Sequence, residues 1–260
     1  EFESVPAGTM AYLATRLPVQ PSAEALSICQ ERSAEKAFLK KHGFPHAPYA
    51  DIRSASDIRQ APADIFPGIL KVARFGYDGK GQIRVNDREE ALAAFSRLKN
   101  EDCVLEKRMH LEDEQSVVLT RSASGETKCF PVAKNHHRHG ILDYSVIGRQ
   151  NADCVLSLKA TGIAEAIASS MDYVGTLSVE FFVVAGQLHV NELAPRPHNS
   201  GHFTLDACLS NQFEQQVRAL CGLPLAEVTA HSAAVMVNLL GDLWFTRDPT
   251  QACEPDWQKL

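Results

Sequence analysis

The sequence predicts a protein of the α+β class, and three observations support this prediction. Residues 1–43 carry apolar side chains at helical spacing. A glycine-rich stretch, 71–82, lies between two short apolar segments that are typical of strands. Further along, two apolar runs flank the pair Ala185-Gly186, as expected of a β-hairpin. Helices and antiparallel strands are therefore both expected, in separate parts of the chain.

The composition is that of an ordinary globular protein. The chain has 260 residues, of which 45% are hydrophobic and 22% are charged, so one large domain or two smaller ones are expected. The net charge is −6 and the chain has no long Lys/Arg run, which argues against a general electrostatic nucleic-acid binder. No apolar run approaches membrane-spanning length, so no membrane partner is expected.

The cysteines point to a reducing compartment. Their number, seven, is odd and no two form a C-x-x-C pair, which favours free thiols over disulfides or a zinc site. We therefore expect a cytoplasmic protein. The chain begins with Glu1-Phe2-Glu3 and lacks an initiator Met, so its N-terminus is interpreted as a fragment boundary.

The N-terminal region is predicted to form three helices. The first spans Ala7–Arg16 and is followed by prolines. Ser22 is predicted to cap the second helix, and Ser33 the third, which ends at Gly43.

The middle of the chain alternates strands and helices. A short strand is predicted near Tyr49–Ile52 and a helix after Ser54 or Ser56. The remaining elements are a strand on each side of the glycine loop, a helix Arg88–Leu98 capped by Asp87, and strands at Cys103–Lys107 and Ser116–Leu119.

A second sheet is predicted between residues 128 and 193. Its expected strands are Cys129–Ala133, Val155–Leu158, Leu177–Val184 and Gln187–Leu193, with a helix Thr161–Met171 between the second and third. Beyond it, residues 204–222 are predicted to be helical and Ala233–Leu240 to be a strand.

The glycine-rich stretch is the first candidate for chemistry. Gly76, Gly79 and Gly81 would let backbone N–H groups approach an anion, and Lys71 and Lys80 add cationic donors suited to phosphate. The stretch is neither a P-loop nor a dinucleotide fingerprint, because no Ser/Thr follows its lysine and a strand follows the loop. A hairpin with a flexible tip is the alternative.

Two carboxylates in the predicted hairpin are the second candidate. Glu180 and Glu192 both lie within apolar strands, where an uncompensated charge is costly. A three-residue connection places them opposite each other, whereas a two-residue turn places Asn191 opposite Glu180; the sequence leaves both registers open. Magnesium, which takes one or two carboxylates and completes its shell with phosphate and water, would fit the pair. Alternatively, both glutamates reach solvent, or one has a raised pKa.

Polar side chains crowd into the segment that follows the hairpin, 194–202. Its arginine, Arg196, suits a phosphate or a developing anion, although a polar surface loop has the same composition. A histidine cluster, His136, His137 and His139, is interpreted as a loop near a nucleotide, with at most one histidine in contact.

Three motifs resemble those of one enzyme family. The motifs are G-Y-D-G-K-G-Q at Gly76–Gln82, N-H-H-R-H-G-I-L at Asn135–Leu142 and N-E-L-A-P-R-P-H-N-S-G-H at Asn191–His202. Together they resemble 5-(carboxyamino)imidazole ribonucleotide synthetase, an ATP-grasp family of purine biosynthesis. The resemblance covers nearly all of the chain, and the H-N-S-G-H run is its most specific part.

The resemblance implies the ATP-grasp fold, in which two α+β subdomains clamp ATP, with part of a C-terminal β-rich region. Residues 1–25 would be the remnant of a missing N-terminal Rossmann-like domain. Residues 26–203 would form the ATP-grasp domain, with a smaller lid at about 54–120. Residues 204–260 would hold a helix and a partial C-terminal domain.

The implied activity is ATP- and magnesium-dependent carboxylation of 5-aminoimidazole ribonucleotide by bicarbonate. Carboxyphosphate would be the intermediate, ADP and phosphate the other products, and a homodimer the assembly. The implied ATP ligands are Arg32, Lys71, Gly76, Tyr77, Asp78, Gly79, Lys80, Gly81, Gln82, Glu106, Lys107, Arg108, Met109, Glu114, His137, Asn191 and Glu192. The implied magnesium ligands are Glu180 and Glu192. The residues implied to meet the imidazole substrate or the carboxylating intermediate are Tyr77, Asp78, Arg196, His198, Asn199 and Ser200.

The chain also departs from the family pattern. The resemblance implies an N-terminal domain and a basic C-terminal segment that would lie outside this sequence, and Val72 and Ala73 stand where the family often has a polar or basic residue after the strand lysine. Two alternatives follow. One is another ATP-grasp ligase, such as a formate-dependent glycinamide ribonucleotide transformylase or a biotin carboxylase-like enzyme, against which H-N-S-G-H argues. The other is a non-catalytic nucleotide-binding fragment.

Overall fold

The fold is built on two antiparallel sheets. The computed structural model describes residues 2, 4–74, 76, 81–148, 154–245 and 250–258. Within these segments one sheet has four strands and the other has seven. Helices and strands alternate in blocks, as the α+β prediction required.

Three helices precede the first sheet. They are α1 (Ala7–Ala14), α2 (Ala23–Gln30) and α3 (Arg32–Lys41). The Ser22 hydroxyl caps α2 as predicted, by accepting a hydrogen bond from the Ala25 N–H. Ser33 was expected to cap α3 but lies inside it, because the Arg32 N–H bonds to the Ala73 carbonyl and Glu31 precedes the helix. The chain leaves α3 through Gly43, whose φ of +73° suits a glycine.

The smaller sheet packs against two helices. Its elements are β1 (Tyr49–Ile52), α4 (Ala55–Gln60), β2 (Gly68–Val72), β3 (Gln82–Val85), α5 (Arg88–Arg97) and β4 (Cys103–Lys107). The strand order is β1-β4-β2-β3, and all three pairs are antiparallel. Asp87 caps α5 as predicted, by accepting from the Glu90 N–H. Apolar side chains from both helices and all four strands form one core.

The larger sheet holds the remaining strands. Its elements are β5 (Asp113–Arg121), β6 (Thr127–Cys129), β7 (Ala133–Arg138), β8 (Ile141–Ile147), β9 (Gly175–Val184), β10 (Gln187–Ala194) and β11 (Ala234–Val237). The strand order is β10-β9-β5-β7-β8-β11, with β6 paired to β5. β5 therefore lies in the larger sheet, although the expected lid, 54–120, included it. The four-stranded sheet runs from residue 49 to residue 107.

Three further helices accompany the larger sheet: α6 (Val155–Ser170), α7 (Thr204–Ala207) and α8 (Gln212–Leu220). The single helix predicted over 204–222 is divided, because Asn211 adopts an extended conformation and caps α8 with its side chain.

Two strand predictions were wrong. The apolar run Val155–Leu158 begins α6 instead of forming a strand. Its large apolar side chains Val155 and Leu158 are 70% and 63% exposed, whereas Leu156 packs against the main core, so one face of a helix is buried. The expected strand Cys129–Ala133 is two strand ends, since β6 ends at Cys129 and β7 begins at Ala133.

The larger sheet has an apolar face and a polar face. Val117 of β5 and Val179 and Phe181 of β9 pack with α6 in the main core. Because side chains alternate along a strand, Ser116, Glu180 and Phe182 lie on the opposite face. That face borders the cleft described below.

Seven cysteines lie in the described segments, and none of them is in a disulfide. Across the same segments, no helix has both the length and the apolar character needed to cross a bilayer.

Candidate functional site

A cleft of about 690 Å³ lies between the two sheets. The smaller sheet contributes side chains from β2, β3 and β4, and the larger sheet contributes them from β5, β7, β9 and β10. The polar and charged residues that line the cleft are Arg32, Lys71, Gln82, Arg84, Glu106, Lys107, Arg108, Glu114, His137, His139, Glu180, Asn191, Glu192, Arg196, His198 and Asn199. The cleft is large enough for a nucleotide-sized ligand.

A β-bulge at Asn191 sets the register of the β9–β10 hairpin. The turn is the two-residue pair Ala185-Gly186, since Gln187 pairs with Val184. A regular hairpin with that turn would place Asn191 opposite Glu180. However, the register shifts between Val190 and Glu192, so that Glu192 is opposite Glu180. The structure thus combines the two-residue turn of one predicted register with the carboxylate pairing of the other.

The bulge also decides which side chains face the cleft. Val190 and Leu193 both belong to the main core. Strict alternation after Val190 would turn Glu192 into the core and Leu193 into the cleft. One extra residue corrects this, and both Asn191 and Glu192 line the cleft.

The two carboxylates differ in their electrostatic environment. Burial and the neighbouring Glu192 charge raise the pKa of Glu180 to about 7. Burial would also raise the pKa of Glu192, but the cations Arg32, Lys71 and His198 outweigh it and hold that pKa below its usual range. The Glu192 side chain is 40% exposed, so its charge is directed at the cleft.

This pair fits a divalent cation. The contacts of Glu180 with His198 Nε2 and Asn191 Nδ2 are 3.6 Å and 3.5 Å, and that of Glu192 with Arg32 is 3.5 Å. These distances exceed those of charge-assisted hydrogen bonds, so the carboxylate oxygens retain the capacity to bind a metal. Among the described residues, no group of three or more His, Cys, Asp or Glu side chains could hold a metal. Magnesium needs only one or two carboxylates when phosphate and water supply the rest of its shell.

A buried charge network forms the wall opposite. Glu106 Oε2 lies 2.9 Å from Lys71 Nζ, and Glu106 Oε1 lies 3.9 Å from Lys36 Nζ. Burial alone would raise the pKa of Glu106, but Lys36 and Lys71 lower it to about 2. Burial lowers the pKa of Lys71, and Glu106 partly offsets this effect. Among the described residues, Lys71 therefore presents its ammonium at the cleft with one carboxylate, that of Glu106, within ion-pair distance.

His137 of β7 reaches the cleft beside Glu114 of β5. Its Nδ1 is 3.0 Å from Glu114 Oε2. Burial would lower the pKa of His137, but the hydrogen bond and charge of Glu114 raise it above its usual value. Of the three clustered histidines, His137 and His139 line the cleft. His136 instead stacks on the Tyr144 ring, with ring centroids 4.3 Å apart. His136 and His137 belong to the strand β7, so the cluster is not the loop that was expected. That at most one histidine contacts the nucleotide stays a prediction.

The segment after β10 is held by buried side chains. The Gln212 amide accepts from the His198 N–H at 2.9 Å and donates to the His198 carbonyl at 2.8 Å. The Ser200 hydroxyl lies 2.9 Å from His198 Nδ1. Asn199 Oδ1 is buried in the cleft wall and has no hydrogen-bond partner among the described residues, so it is available to a ligand donor.

The structure brings most of the predicted site residues together. Those lining the cleft are Arg32, Lys71, Gly76, Gly81, Gln82, Glu106, Lys107, Arg108, Met109, Glu114, His137, Glu180, Asn191, Glu192, Arg196, His198 and Asn199. Tyr77, Asp78, Gly79 and Lys80 lie outside the described residues.

Ser200 is the exception among the described residues of this set. It is 1% exposed and does not line the cleft, and its hydroxyl contacts the ring of His198, which does line it.

Sequence reasoning missed several residues of the site. Arg84 and Phe182 line the cleft, and the buried charges Glu35 and Lys36 lie behind it. A signal for the last two was present: they precede the apolar pair Phe38 and Leu39 by three positions and so share its buried helix face. Arg84 and Phe182 lie two residues after Gln82 and Glu180, so each is on the same strand face as a residue that was predicted.

Comparison with known proteins identifies the family. A model of the ATP-grasp domain matches residues 37–213. The chain is 42% identical over 250 residues to N5-carboxyaminoimidazole ribonucleotide synthase of Brucella melitensis, covering 93% of this chain and 68% of that protein. The chain belongs to the N5-carboxyaminoimidazole ribonucleotide synthase family. The family resemblance and the ATP-grasp fold inferred from the motifs are thereby confirmed.

Other synthases of this family are also similar to this chain. The Bacillus subtilis synthase is 39% identical over 244 residues, with 93% of this chain covered. A synthase structure from Aspergillus clavatus, in complex with ADP and 5-aminoimidazole ribonucleotide, is 25% identical with a TM-score of 0.83 and covers 93% of this chain. This chain spans 64% of the length of the Bacillus relative and 64% of the Aspergillus chain.

Proposed function

We propose that the protein carboxylates 5-aminoimidazole ribonucleotide with bicarbonate, at the expense of ATP and with magnesium, in purine biosynthesis. The products are N5-carboxyaminoimidazole ribonucleotide, ADP and phosphate. The observation that carries the proposal is the bulged hairpin, which turns Glu180, Asn191 and Glu192 towards Lys71 across a nucleotide-sized cleft. Family membership and the ligands of the Aspergillus structure support the choice of substrates.

The cationic side chains of the cleft are assigned to binding the nucleotide phosphates. Lys71 and Arg32 would contact them, and the loop 76–82 would close over them. Residues 106–109 and Glu114 would line the adenine and ribose site, with His137 near the nucleotide. Glu180 and Glu192, with Asn191 beside them, would hold magnesium, which when bound neutralises phosphate charge in the transition state.

The first chemical step is phosphoryl transfer. A bicarbonate oxygen attacks the γ-phosphorus, the bond from that phosphorus to the bridging oxygen breaks, and ADP leaves with its electron pair. The product is carboxyphosphate. Lys71 and Arg32 stabilise the charge that develops, because they are fixed in place before the reaction. Exclusion of water protects this labile intermediate.

The second step is carbamate formation. The amine nitrogen of the imidazole substrate attacks the carbonyl carbon of carboxyphosphate, phosphate leaves, and the nitrogen loses a proton. Arg196, His198 and Asn199 form the wall assigned to this substrate, and Tyr77 and Asp78 are assigned to orient it. Asn199 Oδ1 can accept a hydrogen bond from the substrate, since no side chain or backbone group in the described segments donates to it.

We also propose domain boundaries and an assembly for the protein. The ATP-grasp domain is taken as 26–203, with 1–25 as the end of a preceding domain and 204–260 as part of a following one. A cytoplasmic homodimer is proposed by family analogy.

ADP release tests the proposal. It is measured with bicarbonate, with and without 5-aminoimidazole ribonucleotide, on this chain and on the full-length protein. We expect stimulation by the substrate in the full-length protein. An absence of stimulation would overturn the proposed acceptor. ADP binding without ADP release by this chain would show that the chain binds nucleotide but does not turn it over.

The metal assignment has its own test. Glu192→Ala should abolish magnesium-dependent ATP turnover, because one of two proposed metal ligands is lost. The control is Glu112→Ala, which removes an exposed carboxylate that accepts from the Gly186 N–H at the far end of the same hairpin. Turnover retained in Glu192→Ala would remove Glu192 from the ligand set.

A further inference from the structure

Two adjacent charged residues of α3 are buried behind the cleft. Glu35 is 1% exposed and Lys36 is 0% exposed. Ionised side chains are rarely buried to this extent unless they are paired. The Lys36 ammonium lies 3.6 Å from Glu35 Oε1 and 3.9 Å from Glu106 Oε1. Neither contact is close enough to account for the burial of both charges.

Their closest contacts are with the backbone of β10. Lys36 Nζ donates to the Asn191 carbonyl at 2.7 Å, and the Leu193 N–H donates to Glu35 Oε2 at 2.8 Å. The two hydrogen bonds therefore hold the backbone on both sides of Glu192. A third backbone group nearby, the Val190 N–H, donates to the Pro45 carbonyl at 2.7 Å.

These backbone groups need partners from outside the sheet. β10 is at the edge of the larger sheet, and the bulge interrupts its pairing with β9 between Val190 and Glu192. Edge strands and bulges leave N–H and C=O groups unpaired, and burying such groups costs free energy. Lys36 and Glu35 supply one donor and one acceptor where the ladder supplies none.

We propose that Glu35 and Lys36 form a positioning pair that holds the β10 bulge, so that Asn191 and Glu192 both face the metal side of the cleft. Neither side chain lines the cleft, so the pair acts through the backbone that it binds. The inference rests on the proposed function, since it assigns the metal to the carboxylates that the pair positions.

The same pair connects the two sides of the site. Lys36 contacts both the Asn191 carbonyl of the larger sheet and Glu106 of the smaller sheet, which in turn binds Lys71 at 2.9 Å. The buried ammonium of Lys36 therefore links Lys71, which is assigned to the phosphates, to the strand that carries a metal-facing carboxylate.

Lys36→Met is the direct test, with Mn²⁺ as a spectroscopic substitute for magnesium. Mn²⁺ affinity in the presence of ADP is measured by electron paramagnetic resonance, and ADP affinity in EDTA by calorimetry. We expect Mn²⁺ affinity to fall by about tenfold, whereas ADP affinity without metal changes by less than about threefold. Lys40→Met, an exposed lysine one turn further along α3, is the matched control and should change neither.

The conservative variant separates positioning from general destabilisation. Lys36→Arg keeps a donor at this position and should recover part of the Mn²⁺ affinity. A Lys36→Met protein that is folded and binds Mn²⁺ within about twofold of the wild type would overturn the inference. Wild-type protein that does not bind Mn²⁺ with ADP would instead refute the proposed function.

A measurement on the unmodified protein keeps the inference testable if Lys36→Met does not fold. Hydrogen exchange of the Leu193 amide is followed with and without Mg²⁺ and ADP. A bulge held by Glu35 predicts a Leu193 amide that is protected to the same degree in both states. A fast-exchanging amide that becomes protected only with the ligands would show that the metal, and not the pair, orders the bulge.

Discussion

Individual side chains at this site act through their neighbours. His198 lines the cleft, but residues that do not line it hold it in place through hydrogen bonds. The Gln212 amide fixes its backbone on both sides, and the Ser200 hydroxyl binds its ring nitrogen. The polar composition of 194–202 predicted the presence of functional groups there. It could not distinguish a residue that meets a ligand from one that supports it.

Ser200→Ala tests this distinction. Loss of one hydrogen bond to His198 should lower the rate stimulated by 5-aminoimidazole ribonucleotide by about three- to tenfold, the equivalent of about 1 kcal/mol. The KM for ATP should be unchanged, because Ser200 is buried away from the cleft. Steady-state kinetics with each substrate varied in turn provides the measurement. An equal loss for both substrates would indicate a structural role alone.

At the level of single elements, the sequence predicted most helices and strands but not their irregularities. Asp87 and Ser22 are helix caps as expected, because capping needs only local chemistry. The bulge at Asn191 was not predicted, since it depends on the core positions of Val190 and Leu193 together. Val155–Leu158 was misassigned because a short apolar run fits a strand and a helix equally well.

Two glycines with similar backbone conformations allow a matched comparison of turns. Gly81 has φ +71° at the end of the glycine-rich stretch 71–82, and Gly186 has φ +68° in the β9–β10 turn. A Cβ at Gly81 would come within 2.6 Å of the Val72 Cγ2 atom, whereas a Cβ at Gly186 would meet nothing within 4 Å. Both changes to alanine therefore strain φ, but only the first adds a clash.

Gly186→Ala should cost about 1 kcal/mol of stability, from backbone strain alone. Gly81→Ala should cost a further 1–3 kcal/mol, roughly, from overpacking, and should weaken ADP binding because the loop is displaced. Chemical denaturation and calorimetry would measure the two effects. Equal losses of stability in the two variants would mean that Val72 yields to the added methyl group.

For the whole molecule, the buried charges make stability depend on pH in two opposite ways. Burial raises the pKa of Glu35 to about 7, so the folded state holds a proton that the unfolded state releases above about 4.5. Lys36 and Lys71 lower the pKa of Glu106 to about 2 against the effect of its burial, so there the unfolded state binds the proton first.

The signs of the two contributions follow. Glu35 should lower stability as pH rises from about 4.5 to about 7, whereas Glu106 should lower stability as pH falls from about 4.5 to about 2. Glu35→Gln should therefore make the first interval of the stability profile less steep, leaving the contribution of Glu180, whose pKa is also about 7, and Glu106→Gln should do the same in the second interval. Urea denaturation at a series of pH values measures both. A Glu35→Gln profile parallel to that of the wild type would show that Glu35 does not titrate in this range.

The two-sheet architecture could be predicted from the sequence, but the buried charge network that joins the sheets could not. Motifs and periodicity identified both walls of the cleft, because each wall is local in the chain. Lys36, Glu106 and Asn191 are far apart in sequence, and only tertiary packing brings them together. Charged residues are normally expected at the surface, so nothing marked this group as a structural link.

The separation of the hydrophobic cores has a consequence for movement. The core of the smaller sheet and the main core of the larger sheet have no residue in common. A rotation of one sheet relative to the other would therefore leave the packing within each core intact. It would expose mainly the charged side chains between the two sheets. The balance between open and closed arrangements should respond to ionic strength and to phosphate ligands more than to conditions that weaken apolar packing.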